Sequence, residues 1–279
     1  MSSLRELSFI ALPVVIGMAF ILGIHEYSKA DTVKNIQRIA ARRAVADSTQ
    51  TARKFTQMEV LVARVAVLAA RAAEKAASKR AAEKAAAIAA LPGDPTKGKV
   101  AFITCMACHG MKGEGVRVFN SPRLASQPPW YLKRQLLKFR AGVRGGHPQD
   151  VFGMQMVPMA KLLTREEDVD DVVAYIATLE PDSPVDRGQG DPESGKASFA
   201  ICATCHGRRA EGIESQKAPG LIGQHAWYMT RQLKNFKSGA RGFHKDDIEG
   251  KPMVSIAQML KDDSAIEDLV AYIQSLTWE

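Results

Sequence analysis

The pentapeptide Cys-x-x-Cys-His occurs twice in this chain, and it constrains the fold more than any other feature. The copies occupy residues 105–109 and 202–206, lie 97 residues apart and use every cysteine. Two thiols on one helical turn can each bond a haem vinyl group, and the adjacent histidine can then bind the iron. A zinc site needs four ligands, and neither motif is followed by a second Cys or His pair at finger spacing. The motifs therefore predict two covalent haem c groups, with zinc or disulfide use as the alternatives.

The predicted haem-binding residues follow directly from these motifs. The thioether-forming side chains are Cys105, Cys108, Cys202 and Cys205, and the first axial ligands of the two irons are His109 and His206.

The chain beyond the first ninety residues is an internal duplication. Comparison of each residue n with residue n + 97 aligns two halves without any shift of register. The matched pairs include Gly98/Gly195, Phe102/Phe199, Trp130/Trp227, Tyr131/Tyr228, Gln135/Gln232, Leu136/Leu233, Arg144/Arg241, His147/His244 and Tyr175/Tyr272. Such self-similarity indicates two copies of one domain. Segments rich in Pro and Gly bound them, so we predict a first domain at 92–180 and a second at 189–279.

Each copy is predicted to be a set of short helices joined by loops rich in glycine and proline. In the first copy the expected helices cover residues 97–108, 130–140 and 165–179, the last with Thr164 as its N-cap and Glu167 three residues later. No segment alternates apolar and polar residues with a period of two. The predicted fold class is therefore all-α.

The second axial ligand separates electron transfer from small-molecule chemistry, and methionine is the leading candidate. Three methionines precede the last helix of the first copy, in what we predict to be an irregular loop. Each aligns with a residue of the second copy: Met154 with Lys251, Met156 with Met253, and Met159 with Ile256. Only Met156 meets a methionine, so Met156 and Met253 are the predicted ligands. Ordinary packing is the alternative for both.

Histidines and arginines near the second helix supply further candidates. His147 and His244 align and are rival ligands, although exposure or contact with a haem propionate is the simpler expectation for them. His225 aligns with Pro128 and is expected at the surface.

Two arginines at matched positions are predicted partners of haem propionates. Arg144 and Arg241 follow the second helix of their respective copies. A guanidinium can pair with a carboxylate through two parallel hydrogen bonds. The alternative is that both are solvated loop charges.

The N-terminus begins with an uncharged apolar run at residues 7–24. As a helix of 18 residues it would be about 27 Å long, just enough to cross a membrane. We predict a signal-anchor in residues 1–30, with a cleavable export signal ending at Ala30 as the alternative. Basic residues directly after the run oppose the usual orientation rule for a helix that starts in the cytoplasm. Either interpretation places the remainder outside the cytoplasm.

Residues 31–91 are predicted to form a helical stalk. There is no Gly or Pro in this segment, and residues 61–90 contain 15 alanines, which favour helix strongly. The stalk could be a passive spacer or could dock on a partner subunit. Its residues 31–90 carry a charge of +7, whereas residues 91–279 carry +1. The basic character therefore belongs to the stalk, and we expect no nucleic-acid partner.

Residues 92–278 resemble the di-haem class I cytochromes c, specifically the cytochrome c4 group. The resemblance lies in the haem motifs, the Trp-Tyr-x-x-x-Gln-Leu segment, the paired methionines and the Ala-Tyr-Ile-x-x-Leu end helix. It implies two class I cytochrome c domains related by a pseudo-two-fold axis, each holding one His/Met-ligated haem c. It also implies haems close enough to exchange electrons, and electron delivery towards a terminal haem–copper oxidase.

The expected protein is a membrane-anchored di-haem cytochrome on the outer, periplasmic face of a bacterial cytoplasmic membrane. It transfers single electrons and is not an enzyme. A quinol-oxidising complex or a dehydrogenase is the expected donor, and a terminal oxidase the expected acceptor. The alternative is the haem subunit of a periplasmic dehydrogenase, for example one that oxidises sulfur compounds. A di-haem peroxidase is a third possibility, but it needs one iron to lose its sixth ligand.

Overall fold

A computed structural model of the protein describes residues 29–46, 57–180 and 184–276. The chain divides into two units, Met1–Lys84 and Ala85–Glu279. The predicted membrane-spanning run at residues 7–24 lies outside the described residues. Within the described ranges, no helix is both long enough and apolar enough to cross a membrane.

The N-terminal unit contains helix α1, Lys29–Ala46, and most of helix α2, Gln57–Ala89. The length of α2 follows from its composition, because alanine has the most favourable free energy of helix formation of any residue. Between residues 62 and 89 its side chains are exposed, apart from the partly buried Val67 and Ile88. Val65 is 56% exposed and Leu68 63%. Such a helix presents no continuous buried face within its own unit.

The C-terminal unit repeats one set of four helices. The first set is α3 (Pro95–His109), α4 (Pro129–Arg140), α5 (Val151–Lys161) and α6 (Glu166–Thr178). The second set is α7 (Pro192–His206), α8 (Ala226–Lys237), α9 (Lys251–Gln258) and α10 (Asp263–Ser275). Only isolated bridges, and no β-strand, occur in the described part of the chain. The all-α prediction for the two tandem domains is confirmed.

Both haem-motif helices start with the same local device. The Asp94 carboxylate accepts a hydrogen bond from the backbone N–H of Thr96 at 2.8 Å, and Pro95 occupies the first helical position. In the second copy the Asp191 carboxylate accepts from Glu193 at 3.0 Å, ahead of Pro192. Each aspartate accepts from a backbone N–H that has no partner within the helix. Proline suits the first helical position because the backbone N–H that it lacks would have no partner within the helix there.

The first and last helices of each copy cross at matched glycines. A Cβ at Gly98 would lie 1.9 Å from the carbonyl oxygen of Asp171, and one at Gly195 would lie 2.0 Å from that of Asp268. Only glycine permits backbones to approach so closely. Around the crossings lie two separate cores. The first is Phe102, Leu132, Leu163, Val169, Val172, Val173 and Ile176, and the second includes Phe199, Ile222, Met229, Ile266, Leu269, Val270 and Ile273.

Two expectations about local structure are wrong. The N-cap of α6 is Arg165 rather than Thr164, because the Asp168 carboxylate accepts from the Arg165 backbone N–H at 2.9 Å. The methionine-bearing segment is helical and not an irregular loop: it forms α5 in the first copy and α9 in the second. In α5 the Asp150 carboxylate caps the start by accepting from Gly153 N–H at 3.2 Å, and Pro158 lies within the helix.

Candidate functional site

The four cysteines lie on the last turns of α3 and α7, where the motif predicts them. Cys105 and Cys202 are partly buried, whereas Cys108 and Cys205 are exposed, and none of the four forms a disulfide. Burial raises the pKa of the Cys105 and Cys202 thiols. Each copy thus presents a pair of uncrosslinked thiols one helical turn apart, as thioether attachment requires.

The two motif histidines are buried and held in one tautomer. His109 is 4% exposed and His206 7%. Their Nδ1 atoms lie 2.9 Å from the carbonyl oxygen of Pro122 and 2.8 Å from that of Pro219, respectively. A carbonyl can only accept a hydrogen bond, so Nδ1 carries the proton and Nε2 keeps its lone pair. Burial also lowers the pKa of both rings, which favours the neutral form that binds iron.

Buried donors without a partner lie in the same unit. Arg144 Nε and Trp227 Nε1 are buried and have no hydrogen-bond partner within the protein. Such orphaned donors are costly unless another group accepts from them, and a haem propionate is a carboxylate acceptor. Within the described residues, no three His, Cys, Asp or Glu side chains are grouped as a protein-only metal site would need. The residues present therefore fit haem c.

The predicted propionate partners Arg144 and Arg241 meet at the boundary between the two domains. Arg144, only 7% exposed, donates to Gln135 Oε1 at 2.7 Å and, across the boundary, to Tyr228 Oη at 2.9 Å. The matching bonds of Arg241 reach Gln232 Oε1 at 2.8 Å and Tyr131 Oη at 3.2 Å. Arg144 is therefore not a solvated loop charge. Its contact with a propionate remains a prediction.

The same network acts on the buried Tyr131 hydroxyl. Burial alone would raise its pKa, but Arg241 and Arg144 together lower it. The arginines thus supply positive potential to a buried boundary between the two domains, where the negative charge of a propionate would be favoured.

The paired methionines are partly buried on α5 and α9. Met156 and Met253 are intermediate in exposure, whereas Met154 is 47% exposed and Met159 36%. Their role as sixth ligands remains a prediction. Inward placement of the one methionine that pairs in the duplication is compatible with it.

His147 and His244 make equivalent local contacts in the two copies. The Nδ1 atom of His147 accepts from the Gln149 backbone N–H, and that of His244 from the Asp246 N–H, each at 3.2 Å. Both rings are partly exposed. These bonds use Nδ1 as an acceptor within a turn.

The surface expectation for His225 is wrong. Its ring is 7% exposed and stacks on Trp227, with centroids 5.4 Å apart and 16° between the planes. Both ring nitrogens bond to other segments, Nε2 to the Glu114 carbonyl at 2.7 Å and Nδ1 to the Asp186 N–H at 2.9 Å. The mismatch with Pro128 in the repeat register was the available sequence signal, and it marked an interface residue.

Sequence reasoning also missed an ion pair at the interface that occurs at only one of two positions related by the repeat. Lys138 pairs across the boundary with Asp247 and, at 2.6 Å, with Glu249; its side chain is 14% exposed and that of Asp247 5%. The counterpart of Lys138 is Asn235, which donates to Asp150 at 3.0 Å. The Lys/Asn mismatch in the aligned repeats was the only signal for this asymmetry.

Comparison with known proteins places this geometry in a family context. The sequence model described as cytochrome c matches residues 95–180 and 192–277. A cytochrome c4 of Azotobacter vinelandii is 33% identical over 196 residues, covering 66% of this chain and 90% of that protein. A thiosulfate dehydrogenase electron acceptor of Thiomonas intermedia is 34% identical over 152 residues, covering 50% of this chain and 64% of that protein.

A solved structure agrees with the fold. Reduced recombinant cytochrome c4 from Pseudomonas stutzeri superposes with a TM-score of 0.52 at 30% identity, over 66% of this chain and all of that one. The matched region corresponds in extent to the duplicated part of the sequence.

Proposed function

Since this chain belongs to the cytochrome c family, as a cytochrome c4-like di-haem electron-transfer protein and not an enzyme, we propose that it carries electrons towards a terminal haem–copper oxidase. It would do so from the outer face of a bacterial cytoplasmic membrane, to which its N-terminus anchors it. Bound haem c supplies a one-electron Fe(III)/Fe(II) couple. The protein residues bind, orient and shield it.

The observation that carries the proposal is the repetition of one iron-binding arrangement in both domains. Each motif histidine is buried with Nδ1 bonded to a proline carbonyl, at 2.9 Å and 2.8 Å, and each domain places a partly buried methionine at the same register. Two irons that are each saturated by a histidine and a methionine suit electron transfer, because neither offers an open position to a substrate. For the same reason we do not favour a di-haem peroxidase.

We base the proposed membrane anchor on the uncharged run at residues 7–24. The haem motifs support export of the chain, since haem c assembly in bacteria takes place outside the cytoplasm. Tethering raises the effective concentration of a carrier at neighbouring membrane complexes.

A second function is favoured by one relative. The Thiomonas intermedia protein is named as the electron acceptor of a thiosulfate dehydrogenase. By analogy, this chain could accept electrons from a periplasmic dehydrogenase and pass them on. The haem chemistry is common to both functions, so the donor distinguishes them.

Detergent extraction of native membranes, followed by identification of co-purifying proteins, tests the choice of partner. Oxidase subunits in the preparation would support the first function, and a dehydrogenase without oxidase would support the second.

A truncation tests the anchor. Removal of residues 1–90 behind an exchangeable export signal should give a soluble di-haem protein with unchanged spectra and slower electron delivery in membranes. The N-terminus of the mature protein should also be determined in cells that express the full-length chain. A mature N-terminus at Asp31 would contradict the anchor and leave the haem chemistry intact.

A further inference from the structure

The second domain forms hydrogen bonds to a loop of the first domain, and this loop orients the haem histidine of the first domain. This loop, residues 110–123, runs from the haem motif to the proline whose carbonyl accepts from His109. Gln224 of the second domain accepts from the Arg123 N–H at 3.1 Å and donates to the Arg123 carbonyl at 2.9 Å. Arg123 directly follows Pro122, so both bonds fix the peptide next to the histidine's acceptor.

His225 holds the other limb of the same loop. Its Nε2 lies 2.7 Å from the Glu114 carbonyl oxygen. The next residue, Gly115, has φ of +85° and donates to the His109 carbonyl at 2.8 Å. A Cβ at Gly115 would lie 2.8 Å from the Pro122 carbonyl carbon and 3.0 Å from His225 Nε2. The imidazole, the glycine and the Pro122 peptide are therefore in direct contact.

The His225 contact has no equivalent in the opposite direction, although Gln224 matches Gln127 in the repeat register. The second domain has the same loop geometry, with Gly212 bonded to the His206 carbonyl at 2.7 Å and Pro219 accepting from His206 Nδ1 at 2.8 Å. The position that matches His225 is occupied by Pro128, which has no ring donor or acceptor. The two haem histidines thus have identical first contacts but different support behind them.

We propose that His225 is a positioning residue for the iron of the first haem, and that its protonation state alters the potential of that haem alone. The inference rests on the proposed haem ligation by His109. A firm Nδ1–H to carbonyl bond makes an imidazole a more basic ligand and so favours ferric iron. Loosening the loop weakens this bond, and the first haem then becomes easier to reduce.

Protonation would loosen the loop because of the bond at the second ring nitrogen. Nδ1 accepts from the Asp186 backbone N–H at 2.9 Å, while Nε2–H donates to Glu114. The neutral Nε2–H tautomer satisfies both bonds, whereas a proton on Nδ1 would face the Asp186 N–H.

The surroundings of His225 set the direction of its titration. Burial and Arg123 lower the pKa of His225, and the Glu114 carbonyl and the Asp186 carboxylate act in the opposite sense. The Glu114 carboxylate accepts from the Lys112 N–H, and the Asp186 carboxylate pairs with Arg117 at 2.8 Å. With the pKa lowered on folding, the neutral form is the stabilised one. The support is complete above the ordinary value of about 6.5 and is lost as the pH falls through the folded-state pKa.

The test is a potentiometric titration of each haem in the full-length holoprotein between about pH 4.5 and 8, a range that brackets the ordinary histidine pKa. Haem-methyl NMR signals assign each reduction step to its haem. His225→Gln keeps a donor for the Glu114 carbonyl but cannot titrate, and His225→Ala loses both functions. His244→Gln, which removes a partly exposed histidine of the same domain, is the matched control.

In the wild type and in His244→Gln, the first haem should become easier to reduce at low pH, with an inflection that His225→Gln lacks. In His225→Ala its reduction equilibrium should differ from that of the wild type by about threefold at neutral pH, or about 28 mV at 59 mV per tenfold. The difference should shrink at low pH, where the wild type loses the same support. The second haem should keep its wild-type profile in both His225 variants.

Unchanged first-haem potentials in His225→Ala, or equal shifts in both haems, would overturn the inference. If His225→Ala does not fold, the pH profile of His225→Gln decides alone. A wild-type protein without a His109-ligated haem would instead contradict the ligation proposed above, and is recognised by its spectrum before any titration.

Discussion

The two haem domains share the parts that hold a cofactor and differ where they face each other. Both place two free thiols on a helix that ends in a buried histidine, and both bond that histidine to a proline carbonyl. At their boundary, however, the aligned residues differ: Lys138 aligns with Asn235, and Pro128 aligns with His225.

The linker between the two copies, which includes residues 184–188, explains why a duplicated pair need not remain symmetric. It joins the end of the first copy to the start of the second, so its contacts have no counterpart. The Asp186 carbonyl accepts from Ala226 N–H at 2.9 Å and from Gln274 Nε2 at 2.8 Å, while its own N–H bonds His225. A residue against the linker therefore meets different chemistry from its repeat partner. Matched haem motifs in unequal surroundings allow one fold to hold two haems in different environments.

Replacement of the axial histidines is expected to have the largest effect and to affect one domain at a time. His109→Ala and His206→Ala should each abolish the low-spin signal of one haem and leave the other, because each ring alone presents Nε2 to its iron. Electron paramagnetic resonance of the oxidised protein measures this. His147→Ala should leave both signals intact. Loss of a signal in that control would make the rival histidine the ligand.

Methionine replacement should have the next largest effect. Met253→His and Met156→His should each remove about half of the weak long-wavelength Fe–S absorption and lower the potential of one haem, because imidazole favours ferric iron more than a thioether does. Met154, which is 47% exposed, provides the control. If Met154→Leu perturbs the first haem more than Met156→His does, the alignment of the repeats has assigned the wrong methionine.

Replacement of the two aligned boundary residues, Lys138 and Asn235, should lower the free energy of unfolding by different amounts. Lys138→Met leaves Asp247 and Glu249 without their shared cation, and breaking such a buried pair costs about 3 kcal/mol. Asn235→Leu removes one amide hydrogen bond to the Asp150 carboxylate, worth about 2 kcal/mol because the acceptor is charged. Denaturant unfolding of the holoprotein compares the two. Equal losses would show that the asymmetry does not contribute to stability.

The repetition in the sequence was sufficient to predict most of the haem domains. Caps and amphipathic pattern predicted three of the four helices of the first copy, and the register carried them to the second. Gly98 and Gly195 or Trp130 and Trp227 recur at one spacing, and the end helices of each copy pack at those glycines. The motif likewise predicted the thiols and histidines, since attachment chemistry needs that local order.

Contacts between distant segments could not be predicted from the sequence. The methionine segment was expected to be an irregular loop, yet it forms a helix that Asp150 caps and that contains Pro158. His225 was expected at the surface because it lacked a repeat partner. Its burial depends on Glu114 and Asp186, which are far away in sequence. Sequence pattern reports local preference, whereas these positions are determined by tertiary packing.

Intact-mass spectrometry of the denatured protein, followed by peptide mapping, tests most directly whether each domain holds one covalent haem c. We expect the mass of the polypeptide plus two haems, with one haem on the peptide that contains Cys105 and Cys108 and one on the peptide that contains Cys202 and Cys205. A mass with one haem or none, or a disulfide within either pair, would contradict this assignment.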